Sequence, residues 1–358
     1  MDNFPYKLRL ARKAAGLSQA ALAEKIGISK QALSKYERGA TPPDSTRLLQ
    51  FAEALERDVA FFYRAPRIDL EKVTFRKRAR LKGTRLHAVQ AEVASKVEQL
   101  LVLEEALMVH QPFKKLAVDQ LTAVGQPVEE AAAALRKLWK LGEGPIANVA
   151  GTMESYGIRI VGVDADEDFD GLSSLIEGRD RKVPMVVMNE SAKLDSIRRR
   201  FTLIHELAHL ILPIPDALPG ATVEKICDQF TGAFLLPADA LKRELGQYRR
   251  SLSLAELKSI RQRYGVSVAA TVYRAGTLDI ISEDSAKAFW RKRNQDAVLR
   301  MERGFGEIST EETTFSSYFD RLLARAVTER VISVSQAASL SGMSFAQVRK
   351  LAAPPEGF

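Results

Sequence analysis

The chain has 358 residues, 46% of them apolar and 27% charged, which fits two or three packed domains and excludes wholesale disorder. No apolar run reaches the length of a membrane span; the best, 203–214, is interrupted by His, Glu and Pro. The start, Met-Asp-Asn-Phe-Pro-Tyr-Lys, lacks the apolar run of a secretory signal, and the single cysteine, Cys227, permits no intrachain disulfide, so a reducing cytoplasm is expected. Residues 1–82 hold 18 Lys/Arg against 9 Asp/Glu, whereas the remainder holds 35 against 36. The net charge of +8 therefore sits at one end, as it would in a module that meets a polyanion.

In chain order, residues 5–64 have helical apolar spacing broken at Gly16-Leu17-Ser18, Gly27-Ile28-Ser29 and Gly39-Ala40-Thr41-Pro42-Pro43. A basic connector follows, containing Arg76-Lys77-Arg78-Ala79-Arg80. A long helix is predicted over 84–110, its apolar stripe serving the core, an interdomain link or dimerisation, and helices follow at 128–141 and 145–156. From Gly157 the period changes. Strands are predicted at 158–163, 171–176 and 183–188, with turn-rich pieces between them that suggest a small antiparallel sheet. Helix resumes at 191–212, 221–236, 253–264 and 266–277, and dominates 281–352. The fold class expected is mainly α with a small β-sheet (α+β). Within the tail, 335–351 is laid out like a second helix-turn-helix, less basic than the first, and reads as a structural helix pair.

Three short helices around a Gly-containing turn have the helix-turn-helix layout. Ser18 and Ser29 are placed to cap the second and third helices. On the third, Lys30, Gln31, Ser34 and Lys35 are expected to face outward, where they can reach phosphates and base edges. Ala32, Leu33 and Tyr36 are expected to pack inward. Gly16-Leu17-Ser18-Gln19, Leu22-Ala23, Gly27-Ile28-Ser29, Ser34-Lys35-Tyr36-Glu37-Arg38-Gly39 and Pro42-Pro43 resemble the XRE, or phage-repressor, helix-turn-helix family. The resemblance covers about 60 residues. It implies a five-helix domain, a homodimer on a double-stranded DNA operator, a phosphate contact from Gln19 and base reading by Gln31. The alternative is a helix-turn-helix fold serving only protein interaction, which the basic excess argues against.

A second constellation is His205-Glu206-Leu207-Ala208-His209. Two histidines four apart share one helix face and can reach one metal, with Glu206 beside them to take a proton from the attacking water. The third ligand is read as Glu224, with Asp228 one turn on to accept the other ring N–H of a ligand His. Glu190, Asp195 and Cys227 are weaker candidates for that place, and His87 and His110 fall in the predicted long helix. Zinc, one ion per chain, is the expected cofactor; manganese or iron also suits such donors. No oxyanion-stabilising residue is identifiable, although Tyr264, Tyr273 and Arg274 lie close in sequence.

The text from Arg198 to His209, from Glu224 to Phe230, Leu235-Leu236-Pro237, the strand from Gly157, Gly171-Leu172-Ser173 and Arg274 resemble the ImmA/IrrE metallopeptidase family over about 125–280. Cys227-Asp228 stands where Ala-Asn is more usual, and Thr231 where Ala is usual. The resemblance implies a zincin-like, zinc-dependent endopeptidase that cuts a regulatory protein, often a DNA-binding repressor. The expected domains are 5–64 (helix-turn-helix), 65–124 (basic connector and long helix), 125–280 (peptidase) and 281–358 (helical C-terminal region). The expected function is a DNA-binding regulator with a peptidase domain that cleaves a repressor or antitoxin-like protein in a stress or mobile-element response. The other reading is a non-cleaving regulator or antitoxin whose zinc domain only senses or binds a partner.

Overall fold

The computed structural model describes residues 3–65, 83–109, 112–114, 116–165, 169–177, 182–190, 195–302, 304–305, 308 and 318–353. The basic connector at 76–80 and His110 lie outside the described residues. The chain forms two compact units. The first combines Met1–Pro112, Gly157–Glu190 and Ser316–Phe358; the second combines Phe113–Tyr156 and Ser191–Phe315.

The first unit opens with α1 (Phe4–Ala14), α2 (Gln19–Lys25), α3 (Lys30–Glu37), α4 (Ser45–Ala54) and α5 (Val59–Tyr63). Each start after α1 is fixed by a short oxygen-bearing side chain. Ser18 accepts from Ala21 N, Ser29 from Ala32 N, Asp44 from Arg47 N and Asp58 from Ala60 N. Gly27 ends the turn between α2 and α3 at φ +68°, a left-handed conformation that glycine adopts without strain. Phe4, Leu8, Leu22, Leu33, Phe51 and Phe62 fill the core of this bundle.

Helix α6 (Gly83–Ala106) is buried on several sides, so it has little amphipathic contrast. Val89, Val93 and Val97 pack with Leu10 of α1 and with the sheet; Leu100, Leu103 and Leu107 pack with the C-terminal helices. The stripe read from the sequence therefore serves the core. Helices α7 (Gln126–Leu138) and α8 (Val149–Ser155) belong to the second unit.

The sheet returns to the first unit as β1 (Arg159–Val163), β2 (Gly171–Glu177) and β3 (Lys182–Asn189), in the order β1-β3-β2. It is mixed rather than antiparallel: β2 pairs β3 antiparallel, but β1 pairs β3 parallel, with Arg159 opposite Met185. The cause is the strand order: β2 follows β1 in the chain but lies on the far side of β3. Buried Asn189, at the end of β3, donates to the carbonyls of Ala165 (3.1 Å) and Phe169 (2.8 Å). Central β3 is apolar on both faces. Its Pro184 is tolerated because pairing with β1 begins one residue later.

Helices α9 (Ser196–Ile211), α10 (Gly220–Leu235), α11 (Ala238–Leu245), α12 (Leu254–Tyr264), α13 (Val268–Thr277), α14 (Glu283–Gln295) and α15 (Ala297–Met301) complete the second unit. Buried Arg200 on α9 donates to the carbonyls of Ile146 (2.7 Å) and Tyr264 (3.3 Å), tying three stretches of that unit together. The first unit ends with α16 (Tyr318–Thr328), α17 (Val334–Ser341) and α18 (Phe345–Leu351), whose Leu322, Leu323, Ala337, Leu340 and Val348 pack on α6. No helix of the described residues is long and apolar enough to cross a membrane.

Candidate metal centre and nucleic-acid interface

Asp195 caps α9 by accepting from Arg198 N at 2.7 Å, and a buried row including Leu203, Ile204, Leu207 and Ala208 faces the core. That orientation leaves His205 and His209 together, one turn apart. On α10, Val223, Ile226, Phe230 and Phe234 are buried, which turns Glu224 and Asp228 toward the histidines. His205 Nε2 lies 3.2 Å from His209 Nε2 and 3.1 Å from Glu224 Oε2; His209 Nε2 lies 3.6 Å from Glu224 Oε1.

Among the described residues, His205, His209 and Glu224 form the only group of at least three His, Cys, Asp or Glu side chains whose ligand atoms could hold one metal. The fit is dimensional. Tetrahedral zinc with bonds of about 2.0–2.1 Å has ligand–ligand edges of roughly 3.3 Å. The three observed distances lie near that value, with Glu224 meeting His205 through Oε2 and His209 through Oε1. Two imidazoles and one carboxylate are also the donors zinc favours, and three protein ligands leave one position open.

Asp228 Oδ1 sits 2.9 Å from His205 Nδ1. Burial of the His205 ring disfavours its charge, but hydrogen bonds to Asp228 and Glu224 and the charges of Asp228 and Glu206 outweigh it and raise its pKa to about 9. The site therefore attracts positive charge. Glu206 is half-buried, and its charge acts on the neighbouring His205 ring.

Two of the weaker candidates for the third ligand, Asp195 and Glu190, are engaged elsewhere. Asp195 caps α9, and Glu190 lies against Gly162, where any Cβ would collide with its carboxylate. His87 is exposed on α6, with Nδ1 3.2 Å from Gln90 Oε1. Arg274 is buried and donates twice to Glu129, both at 3.0 Å, passing over Gly232 to reach it. Its guanidinium joins α13 to α7 and is not free to meet an oxyanion. Tyr264 is buried and Tyr273 exposed. Sequence reasoning weighed Cys227 as a weaker ligand candidate and missed its contact: the residue is buried and Sγ lies 3.3 Å from His209 Nδ1. Its three-residue spacing from Glu224 was the available signal.

On the first unit, α3 presents Lys30, Gln31 and Lys35 exposed and Ser34 half-buried, with Leu33 and Glu37 turned inward. Tyr36 packs edge-on against Phe51, ring centroids 5.4 Å apart. Gln19 is held from below: its Nε2 donates to Glu37 Oε2 at 2.7 Å, and the same carboxylate accepts from Arg12 Nε at 2.5 Å. This buried Arg12–Glu37 pair fixes both the start of α2 and the end of α3.

Two family models match the chain. One, described as helix-turn-helix, covers residues 8–62; the other, a peptidase-family model described as an IrrE N-terminal-like domain, covers residues 153–275. Among curated proteins, the chain is 43% identical over 58 residues to an uncharacterized HTH-type transcriptional regulator from Rickettsia conorii, a stretch that is 16% of this chain and 44% of that protein. A similarly named protein from Rickettsia prowazekii is 43% identical over 58 residues, 16% of this chain and 42% of its own. Another from Sinorhizobium fredii is 39% identical over 57 residues, 16% of this chain and 40% of its own. The chain thus spans less than half the length of each of these relatives. On one polypeptide, this chain joins a helix-turn-helix domain to an IrrE N-terminal-like domain.

Proposed function

We propose that the protein is a DNA-binding transcriptional regulator whose IrrE-like part is a zinc-dependent endopeptidase acting on a regulatory protein. The observation that carries the reading is the triangle of His205, His209 and Glu224, with edges of 3.1–3.6 Å and Glu206 beside it. His205, His209 and Glu224 would hold Zn2+, one per chain. When bound, zinc supplies Lewis acidity that activates water and polarises a peptide carbonyl. Asp228 keeps the His205 proton on Nδ1 and so leaves Nε2 as a donor atom. Glu206 takes the proton of the attacking water and returns it to the leaving amine.

The helix-turn-helix match and the relatives' names support the DNA side of the reading. Lys30, Gln31, Ser34 and Lys35 would enter a major groove on α3, with Gln31 at base edges. Gln19 has two amide N–H donors; with one on Glu37, the other can meet a phosphate. A homodimer would match a two-fold operator. DNA binding would lie in 5–64 and hydrolysis in 125–280, ranges that contain the two matched stretches, 8–62 and 153–275.

The test incubates zinc-loaded protein with DNA-binding repressors encoded beside it and follows cleavage by mass spectrometry. Wild type should cut one of them. Glu206→Gln should lose activity by roughly 10²-fold or more while keeping its metal. Undiminished cleavage by that variant removes Glu206 from the mechanism. Operator binding with no cleavage by wild type under any condition favours a non-cleaving regulator or antitoxin.

A further inference from the structure

An imidazole that offers Nε2 to a metal carries its proton on Nδ1, and the partner at Nδ1 sets the ring's angle and tautomer. For His205 that partner is Asp228. For His209 the structure places Cys227 Sγ at 3.3 Å from Nδ1. Glu224, Cys227 and Asp228 stand at i, i+3 and i+4 on α10, so one helix face supplies a candidate ligand and a partner for each histidine. Cys227 is fully buried and the His209 side chain is 8% exposed, so water does not compete at this contact. Thr231 Oγ1 also donates to the Cys227 carbonyl at 2.7 Å, which stiffens this turn of α10.

We propose that Cys227 is a positioning residue: its sulfur accepts the His209 Nδ1–H and aims Nε2 at the metal without itself ligating it. The inference rests on the metal reading above. Sulfur is a weak acceptor, and a neutral thiol polarises an imidazole less than a carboxylate does. The two histidines are therefore held unequally, His205 by an anion and His209 by a thiol. Two rival roles make different forecasts. A cysteine that only fills the core is replaced better by Ala than by Ser, because a buried hydroxyl costs more than a methyl. A cysteine that ligates the metal announces itself spectroscopically.

The experiment uses the full chain loaded with Co2+, comparing wild type, Cys227→Ser and Cys227→Ala. Cobalt affinity is measured by chelator competition, and folding by thermal melting. Cys227→Ala should bind cobalt about 10-fold more weakly or worse. Cys227→Ser should recover most of that loss, although it melts no higher than the Ala variant. Wild type should show cobalt d–d bands without a thiolate-to-cobalt charge-transfer band. Cobalt affinity in Cys227→Ala equal to or above that in Cys227→Ser would reduce Cys227 to packing and overturn the proposal. A charge-transfer band in wild type overturns it in favour of ligation. Wild type that takes up no cobalt defeats the metal reading itself, a failure distinct from the other two.

Discussion

Single residues show how this chain keeps charge inside its core. A buried ion needs a partner close enough to offset its lost hydration. Lys7 of α1 meets Glu98 of α6, Arg12 meets Glu37, and Arg274 meets Glu129, across 91, 25 and 145 residues of sequence. Such distances hide these pairs from a linear reading; the histidine pair, four residues apart, was legible because helical geometry alone brings it together. Lys7→Ala takes this cation away from Glu98, a residue 6% exposed, and should destabilise the protein by about 3–5 kcal/mol in urea unfolding. Lys7→Met with Glu98→Leu removes both charges and should recover most of the loss. Destabilisation under 1 kcal/mol in the single variant would mean that Glu98 finds water.

At the level of elements, the caps were the most readable part. Ser18 and Ser29 were expected as N-caps and both cap, accepting from Ala21 N and Ala32 N, because capping is a contact within four residues. The strands were located correctly, but the pairing of β1 was not, since parallel neighbours are chosen by a crossover that no local pattern encodes. At the start of α12, Ser253 and Glu256 form a capping box, and Arg249 binds Glu256 at 2.8 Å. The Arg249 hydrogen bond first, and the Ser253 backbone N–H next, hold the Glu256 pKa down at about 2 against an ordinary 4.5. A carboxylate depressed on folding stabilises the fold above its unfolded pKa and loses that effect as pH falls through the folded value. Glu256→Ala should therefore cost about 1 kcal/mol at pH 7, an effect that shrinks as pH falls from 4.5 toward 2. Thermal melts of both proteins across that range measure it; a constant difference at all pH values would assign the cost to packing.

For the whole molecule, the uneven charge has one consequence that can be measured. The 18 Lys/Arg against 9 Asp/Glu in residues 1–82 predict DNA affinity that falls steeply with salt. Lys30→Ala and Lys35→Ala should each flatten the log Kd against log salt plot by about one unit if each lysine neutralises one phosphate. Gln31→Ala should instead weaken discrimination between operator and random DNA and leave the slope unchanged. Equal slopes in all three variants would remove α3 from the phosphate contacts.

By itself the sequence determined the starts of α2 and α3, the three strands, the helix-turn-helix layout and the pairing of His205 with His209, because each rests on contacts within a few residues. It also marked Glu224 and Asp228, since a second helix with that spacing turns both to one side. Only tertiary structure decided that β1 runs parallel to β3 and that α6 and the tail belong with the N-terminal bundle. The same holds for Arg274, which meets Glu129 instead of an open site, and for Cys227, which faces His209. These depend on which distant surfaces bury one another, and burial of apolar area is non-directional, so a linear pattern does not name the partner.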